Sequence, residues 1–212
     1  MSKTITQIAV QKKRKNRCSI FLNDEFAFGL DQDVVLRFGL KKGDILDDKR
    51  IEEILLSEER KSAKDRALKF LSYRDRSEKE ILTKLKDVGY DESVIKWIIN
   101  DLKRLKFIDD KRFASSFAQT QMITRPMGEF FLKRELKQKG VATELIEQTI
   151  EKVYQEKDQL TVATELAEQR KKRFKNLDEL KVKKRVSDFL LRRGFSWDIV
   201  SHILENWNEL ED

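Results

Sequence analysis

The chain has 212 residues, with 45 Lys and Arg against 38 Asp and Glu, a net charge of +7, and 39% of its residues are charged. Its hydrophobic share is also 39%, below the roughly 45–50% of average globular chains, which excludes a thick single core yet exceeds what disordered chains carry. With a single proline to interrupt them, thin layers of long, heavily charged helices with a large surface are expected.

Ile5, Ile8 and Val10 supply a first strand. Cys18, Ile20 and Leu22 then alternate with Arg17, Ser19 and Phe21, Asn23-Asp24 follow, and Phe26, Phe28 and Leu30 alternate again. Two period-2 runs joined by two polar turn residues predict a β-hairpin. Asp31 caps a short helix through Phe38, and Gly39 stops it. A further helix is predicted from Asp48 to Ser57, followed by Glu58, Glu59, Arg60 and Lys61 as a solvated linker. Residues 1–58 are thus expected to form a small β-rich subdomain with short helices.

From Ala63 onward the pattern is helical and repeats. Gly89, Gly140 and Gly194 each end an amphipathic helix, at spacings of 51 and 54 residues. Eight residues before each glycine stand Ile81, Leu132 and Val186, and four before it Leu85, Leu136 and Leu190. Matching apolar residues follow each glycine, from Tyr90, Val141 and Phe195 onward to Leu102, Val153 and Trp207. The shared anchor predicts three helix–helix–glycine turn–helix units, residues 59–110, 111–157 and 158–212, which must stack because one unit buries little. Ser77 and Glu80 form a capping box at the second helix of the first unit. Asp91, Thr143 and Ser196 are assigned as N-caps of the third helices.

Catalytic patterns are missing. The lone Cys18 has no disulfide partner, and His202 is the only histidine, too few donors for a zinc site. Gly39-Leu40-Lys41-Lys42-Gly43 is too short for a phosphate loop and reads as a tight turn. Asp109-Asp110 reads as a helix start, where carboxylates suit the dipole. No run approaches the 18 apolar residues of a membrane span, and the start turns basic at Lys12 instead of running into a signal segment. A cytoplasmic, monomeric, non-enzymatic protein without metal or cofactor is expected.

The charge is concentrated. Between Arg170 and Arg193 there are 11 basic residues and 3 acidic ones. They are Arg170, Lys171, Lys172, Arg173, Lys175, Lys181, Lys183, Lys184, Arg185, Arg192 and Arg193; Lys133, Arg134, Lys137 and Lys139 form a smaller cluster in the preceding unit. Such a stripe attracts phosphates without reading sequence, although lysine-rich faces are also ordinary in soluble helices. The helix–turn–helix outline does not carry a base reader, because Asp91-Glu92, Thr143-Glu144 and Ser196-Trp197-Asp198 follow the turns.

Four stretches carry a family resemblance. Residues 68–80 (LKFLSYRDRSEKE), residues 107–114 (FIDDKRFA), Lys139-Gly140-Val141, and Arg192-Arg193-Gly194-Phe195-Ser196 resemble the recurring motifs of RecX, the regulator of the RecA recombinase. One departure is Arg125-Pro126-Met127-Gly128, where members often carry a basic residue beside the glycine. The resemblance implies a mainly α protein: three tandem three-helix, helix-turn-helix-like repeats in an elongated curved body, preceded by the hairpin-containing subdomain. It also implies that this body lies in the groove of the RecA–DNA filament and blocks ATP hydrolysis and strand exchange, some members touching single- or double-stranded DNA. The residues by themselves leave open a stand-alone, sequence-independent nucleic-acid-binding protein, or a plain helical scaffold.

Overall fold

The structure is a computed structural model that describes residues 2–174 and 177–210, so Lys175 of the basic segment lies outside the described residues. It divides into two compact units, Met1–Arg74 with Ile81–Phe107, and Asp75–Glu80 with Ile108–Asp212.

In the first unit, β1 (Lys3–Val10), β2 (Arg17–Leu22), β3 (Glu25–Asp31) and β4 (Ile45–Leu46) form an antiparallel sheet in the order β3-β2-β1-β4. The hairpin expected at Asn23-Asp24 is present. Those residues adopt φ of 51° and 67°, the two positive values that a tight two-residue turn matching strand twist requires. Alternation buries Ile5, Cys18, Ile20, Leu22 and Leu30 on one face, where Val34, Leu46 and Ile54 complete the core. The helix α1 (Gln32–Phe38) starts at Asp31, whose side chain accepts from the Asp33 amide, and ends at Gly39 with φ 63°.

One expectation is corrected. The helix α2 runs unbroken from Asp48 to Leu71, straight through the supposed linker. No glycine or proline interrupts it, and Glu, Arg and Lys are strong helix formers, so a charged run is no reason to stop. Glu58 is also not solvated. Its carboxylate pairs with Arg17 at 2.7 Å and accepts from the Asp31 amide at 2.6 Å, tying sheet to helix. Farther along α2, Ala63 and Ala67 are buried, and α4 (Glu92–Arg104) packs on the helix with Val94, Ile95, Ile98 and Leu102 buried.

The helix α3 (Glu78–Val88) opens with the expected capping box: Ser77 Oγ accepts from the Glu80 amide, and Glu80 accepts from the Ser77 amide. The second unit then holds α5 (Asp110–Thr124), α6 (Glu129–Gln138), α7 (Thr143–Glu156), α8 (Gln159–Lys172), α9 (Glu179–Arg192) and α10 (Trp197–Glu205). Two three-helix cores result, one around Phe113, Leu132, Leu136 and Ile146, the other around Leu166, Val186, Leu190 and Trp207. The repeat frame is visible in burial, since Ile81, Leu132, Val186, Leu85, Leu136 and Leu190 are all 0% exposed. Asp91 and Ser196 cap their helices as expected. Thr143 does not. The cap position falls two residues after each glycine, which in the middle repeat is Ala142, without a side-chain bond to offer.

The repeat glycines differ in what surrounds them. Gly89, Gly140 and Gly194 all have φ between 81° and 93°, a backbone state that side chains resist. Nothing stands within 4 Å of a Cβ built on Gly89. A Cβ on Gly194 would sit 2.4 Å from Phe131 Cβ and 2.6 Å from its backbone nitrogen; one on Gly140 would sit 2.7 Å from Lys79 Cβ. Each of these two turns docks onto the start of the preceding second helix. Ser77 Oγ donates to the Lys139 carbonyl at 2.7 Å, and the Gly128 amide donates to the Arg193 carbonyl at 2.8 Å. The glycines therefore let each turn press against the start of the preceding repeat's second helix, backbone to backbone at Gly194 and against Ser77 and Lys79 side chains at Gly140.

Candidate binding surface

On α9 and its cap, Arg185, Phe189 and Arg193 recur every fourth residue, and Arg170, in the last turn of α8, shares that spacing with Phe174 just beyond the helix. Residues four apart stack on one helix face, and α8 packs against α9, so the two rows interleave. Arg185 lies 4.9 Å from the Phe174 ring centre, Arg170 5.0 Å from both Phe174 and Phe189, and Arg193 5.1 Å from Phe189. Cation and ring alternate along the ladder.

A second, shorter ladder lies beside it: Arg125 at 5.6 Å and Arg134 at 4.3 Å from Phe131. The two meet at Arg193, whose guanidinium donates to the Pro126 carbonyl at 2.9 Å. Burial, and then the charges of Arg125 and Arg170, hold the Arg193 pKa below the ordinary arginine value. Among the described residues none of these five arginines has a carboxylate partner. Arg170 Nε is buried and finds no hydrogen-bond acceptor among the described residues. Each ring contact is worth on the order of 0.5–2 kcal/mol. The rings thus take the place of counter-ions in fixing the guanidiniums, and the positive charge stays available to an outside ligand.

The other basic residues fall into different environments. Lys171 and Lys183 stand 5.8 and 5.7 Å from the Trp207 ring, with Lys171 donating to the Leu210 carbonyl and Lys183 paired to Glu179 at 2.8 Å. Lys133 pairs with Glu129 one turn earlier. Lys139 is held by Glu80 at 2.9 Å, next to the docking contact of the Gly140 turn. Lys137, Lys172, Arg173, Lys184 and Arg192 are exposed to solvent. So Arg134, Arg185 and Arg193 are brought together, Lys171 and Lys183 converge on Trp207 instead, and Lys133 and Lys139 are spent on local ion pairs.

The remaining candidates have structural settings. Cys18 is buried in the sheet core, and burial pushes its thiol pKa up. Gly39–Gly43 is the expected tight turn, with Lys41 donating its amide to Asp44 at 2.8 Å. Asp109 caps α5, and Asp110 accepts from the Glu78 amide at 2.8 Å. His202 lies exposed on α10. Among the described residues no cluster of three or more His, Cys, Asp or Glu is placed to hold a metal, and no helix is long and apolar enough to cross a membrane.

Comparison with known proteins decides the family. Residues 3–47 match the regulatory protein RecX N-terminal domain, and residues 63–102, 109–150 and 156–204 match the first, second and third RecX three-helix domains. The chain belongs to the RecX family. Regulatory protein RecX of Bacillus licheniformis is 38% identical over 201 residues, covering 95% of this chain and 76% of that protein. The Clostridium acetobutylicum regulatory protein RecX is 30% identical, with 95% of each chain covered. A regulatory protein RecX crystal structure superposes with a TM-score of 0.73 at 31% identity, over 96% of this chain and 99% of that one. RecX from Lactobacillus salivarius superposes at 0.63 and 30% identity, over 72% of this chain and 99% of that one.

In RecX terms, both ladders lie on the second and third three-helix domains. Arg125 lies outside the basic stripe read from sequence, and Arg170 entered it only as one charge among many. The signal was available in the four-residue spacing of arginine and phenylalanine, at 170/174 and at 185/189/193.

Proposed function

We propose that this RecX family protein is a non-catalytic modulator of homologous recombination and DNA repair. It binds in the groove of the RecA–DNA filament and inhibits ATP hydrolysis and strand exchange. One observation carries the reading within the known family: five guanidiniums that have no carboxylate partner among the described residues share one region of the second unit. Rings hold them before any ligand arrives, so little ordering entropy is lost on binding. Lys137, Lys172, Arg173, Lys184 and Arg192 add an exposed basic field around them, while the paired Lys133, Lys139, Lys171 and Lys183 contribute at longer range. A ligand that touches several filament protomers favours one arrangement of them, and so penalises the rearrangements that turnover and exchange require. The protein acts as a cytoplasmic monomer, away from membranes, without cofactor or metal.

The test is to add the full chain to RecA assembled on single-stranded DNA, and to follow ATP turnover and filament length. Both fall on this reading, and unchanged values at saturation overturn it. The second reading, a stand-alone nucleic-acid-binding protein, is favoured by the same unneutralised arginines. It predicts steeply salt-dependent binding to naked DNA and no effect on turnover beyond competition for DNA.

A further inference from the structure

In a chain with 39% charged residues, the outer face of the N-terminal sheet carries no charged side chain between Gln11 and Phe26. We infer that this face is a stacking platform for the bases of an unpaired oligonucleotide, RNA or DNA. Such a platform belongs to the first unit alone and stands whether or not the filament reading does.

Strand alternation sets the face. Cys18, Ile20 and Leu22 point into the core, so Ser19 and Phe21 point out. A Cβ built on Gly29 would meet Gln11 Nε2 at 3.1 Å, and that amide donates to Ser19 Oγ at 3.4 Å. Gln11, Ser19 and Gly29 therefore share the outer side. Register sets Ala9 and Gly29 on either side of Ser19, and Phe26 opposite Phe21. Ala9, Ser19 and Gly29 make a low floor. At one end of it the rings of Phe21 and Phe26 meet edge to face, with centres 5.9 Å apart and planes at 78°. Phe26 is 61% exposed. Its partner ring holds it in place, and its open side is left for a ligand.

The other end of the floor runs into the loop between β1 and β2. There Lys12, Lys13, Arg14 and Lys15 are all exposed, and they pair with no carboxylate among the described residues. Arg17, beside the floor, is turned to Glu58 and to the Gly29 carbonyl. Rings for bases and cations for phosphates thus sit at opposite ends of one neutral surface, the combination that single strands require. From Arg17 to Phe21 the strand spans about 13 Å, and exposed sheets with such aromatics stack about two or three bases. Paired bases hide their faces, so a duplex gains nothing here. A protein partner fits poorly. Three strands about 4.8 Å apart and about 13 Å long offer a fraction of the roughly 800 Å² that each side of a stable protein interface buries.

Photo-cross-linking locates the bases directly. Oligo(dT) and oligo(U) of about ten nucleotides, each carrying one 5-iodouracil, are irradiated with the full chain, and attachment sites are mapped by mass spectrometry. Excess unlabelled duplex occupies the arginine region of the second unit. Attachment is expected within residues 18–37, at Phe21 or Phe26, and the ratio of the two yields assigns the polymer. Phe26→Ala, which empties no core, lowers this yield about fivefold or more, whereas Phe26→Tyr keeps a ring and keeps the yield. Lys12→Gln/Lys13→Gln/Lys15→Gln lowers the yield and its salt dependence. Circular dichroism verifies that each variant is folded. Attachment confined to other segments overturns the platform. So do equal yields from wild type and folded Phe26→Ala, a loss with Phe26→Tyr as large as with Phe26→Ala, or equal yields from iodinated duplex and single strand. With no recombinase in the assay, a failed platform leaves the filament reading to ATP turnover, and a failed filament reading leaves the platform standing.

Discussion

The glycine turns can be taken apart by single methyl groups, because strain and steric docking are distributed differently among them. Gly89→Ala meets open space and carries only the left-handed backbone penalty, about 1–2 kcal/mol. Gly128→Ala is the complement. Its glycine has an ordinary φ of −77°, so the whole effect comes from a Cβ placed 2.2 Å from the Gly194 carbonyl oxygen. Overpacking of this kind costs about 1–3 kcal/mol, and spreading the contact weakens the bond from the Gly128 amide to the Arg193 carbonyl, worth about 1 kcal/mol. Gly194→Ala combines both penalties, at about 2–5 kcal/mol, since its Cβ strikes backbone and Cβ atoms of Phe131 that cannot rotate away. Gly140→Ala falls between, because Lys79 can move its outer carbons but not its Cβ. Thermal unfolding followed by circular dichroism ranks the four, with about 2–4 °C expected per kcal/mol at this chain length. The predicted order of loss is Gly194, then Gly128 and Gly140, then Gly89. If Gly194→Ala melts no lower than Gly89→Ala, or Gly128→Ala melts within a degree of wild type, the backbone docking between repeats is refuted.

Three further outcomes follow from single contacts. Ser77→Ala removes the hydroxyl that caps α3 and donates to the Lys139 carbonyl, and chemical denaturation should show a loss of about 1–2 kcal/mol. Glu58→Ala leaves Arg17 and the Asp31 amide without their acceptor; a similar loss of about 1–2 kcal/mol is expected by the same measurement, and none if residues 58–61 were a solvated linker. The Asp101 pKa is lowered, first by its hydrogen bond from Lys64 and then by that from Arg104. A depressed carboxylate stabilises the fold above its unfolded pKa and loses that contribution as pH falls through the folded value. Asp101→Asn should therefore flatten the fall in melting temperature below about pH 4, and an unchanged profile would contradict the pairing.

Much of this architecture was legible before any coordinates. The hairpin could be read because period-2 alternation and a two-residue polar turn are local, as are the Asp31 cap and the Gly39 stop. The threefold frame could be read because Gly89, Gly140 and Gly194 anchor the same apolar offsets. The unbroken α2 could not, because a run of charged residues looks alike in a linker and on a solvent-facing helix, and Glu58 finds Arg17 only in three dimensions. Thr143 was misplaced by one residue because a good capping side chain stands beside a position filled by alanine. The site was half legible. Charge density located α8 and α9, but a count of charges treats Lys139, bound to Glu80, as equal to Arg185, which lies against the Phe174 ring and pairs with no carboxylate among the described residues. Which cations stay unneutralised is a property of packing.

The central claim, that the unneutralised arginine region is what engages a recombinase filament, is tested most directly by ATP turnover of RecA on single-stranded DNA. The titration compares the wild-type chain with Arg125→Gln/Arg185→Gln and with Lys171→Gln/Lys183→Gln. The account predicts inhibition by the wild type, inhibition by the lysine variant at similar concentrations, and a concentration requirement at least tenfold higher for the arginine variant. Equal inhibition by all three, or none by any, would contradict it.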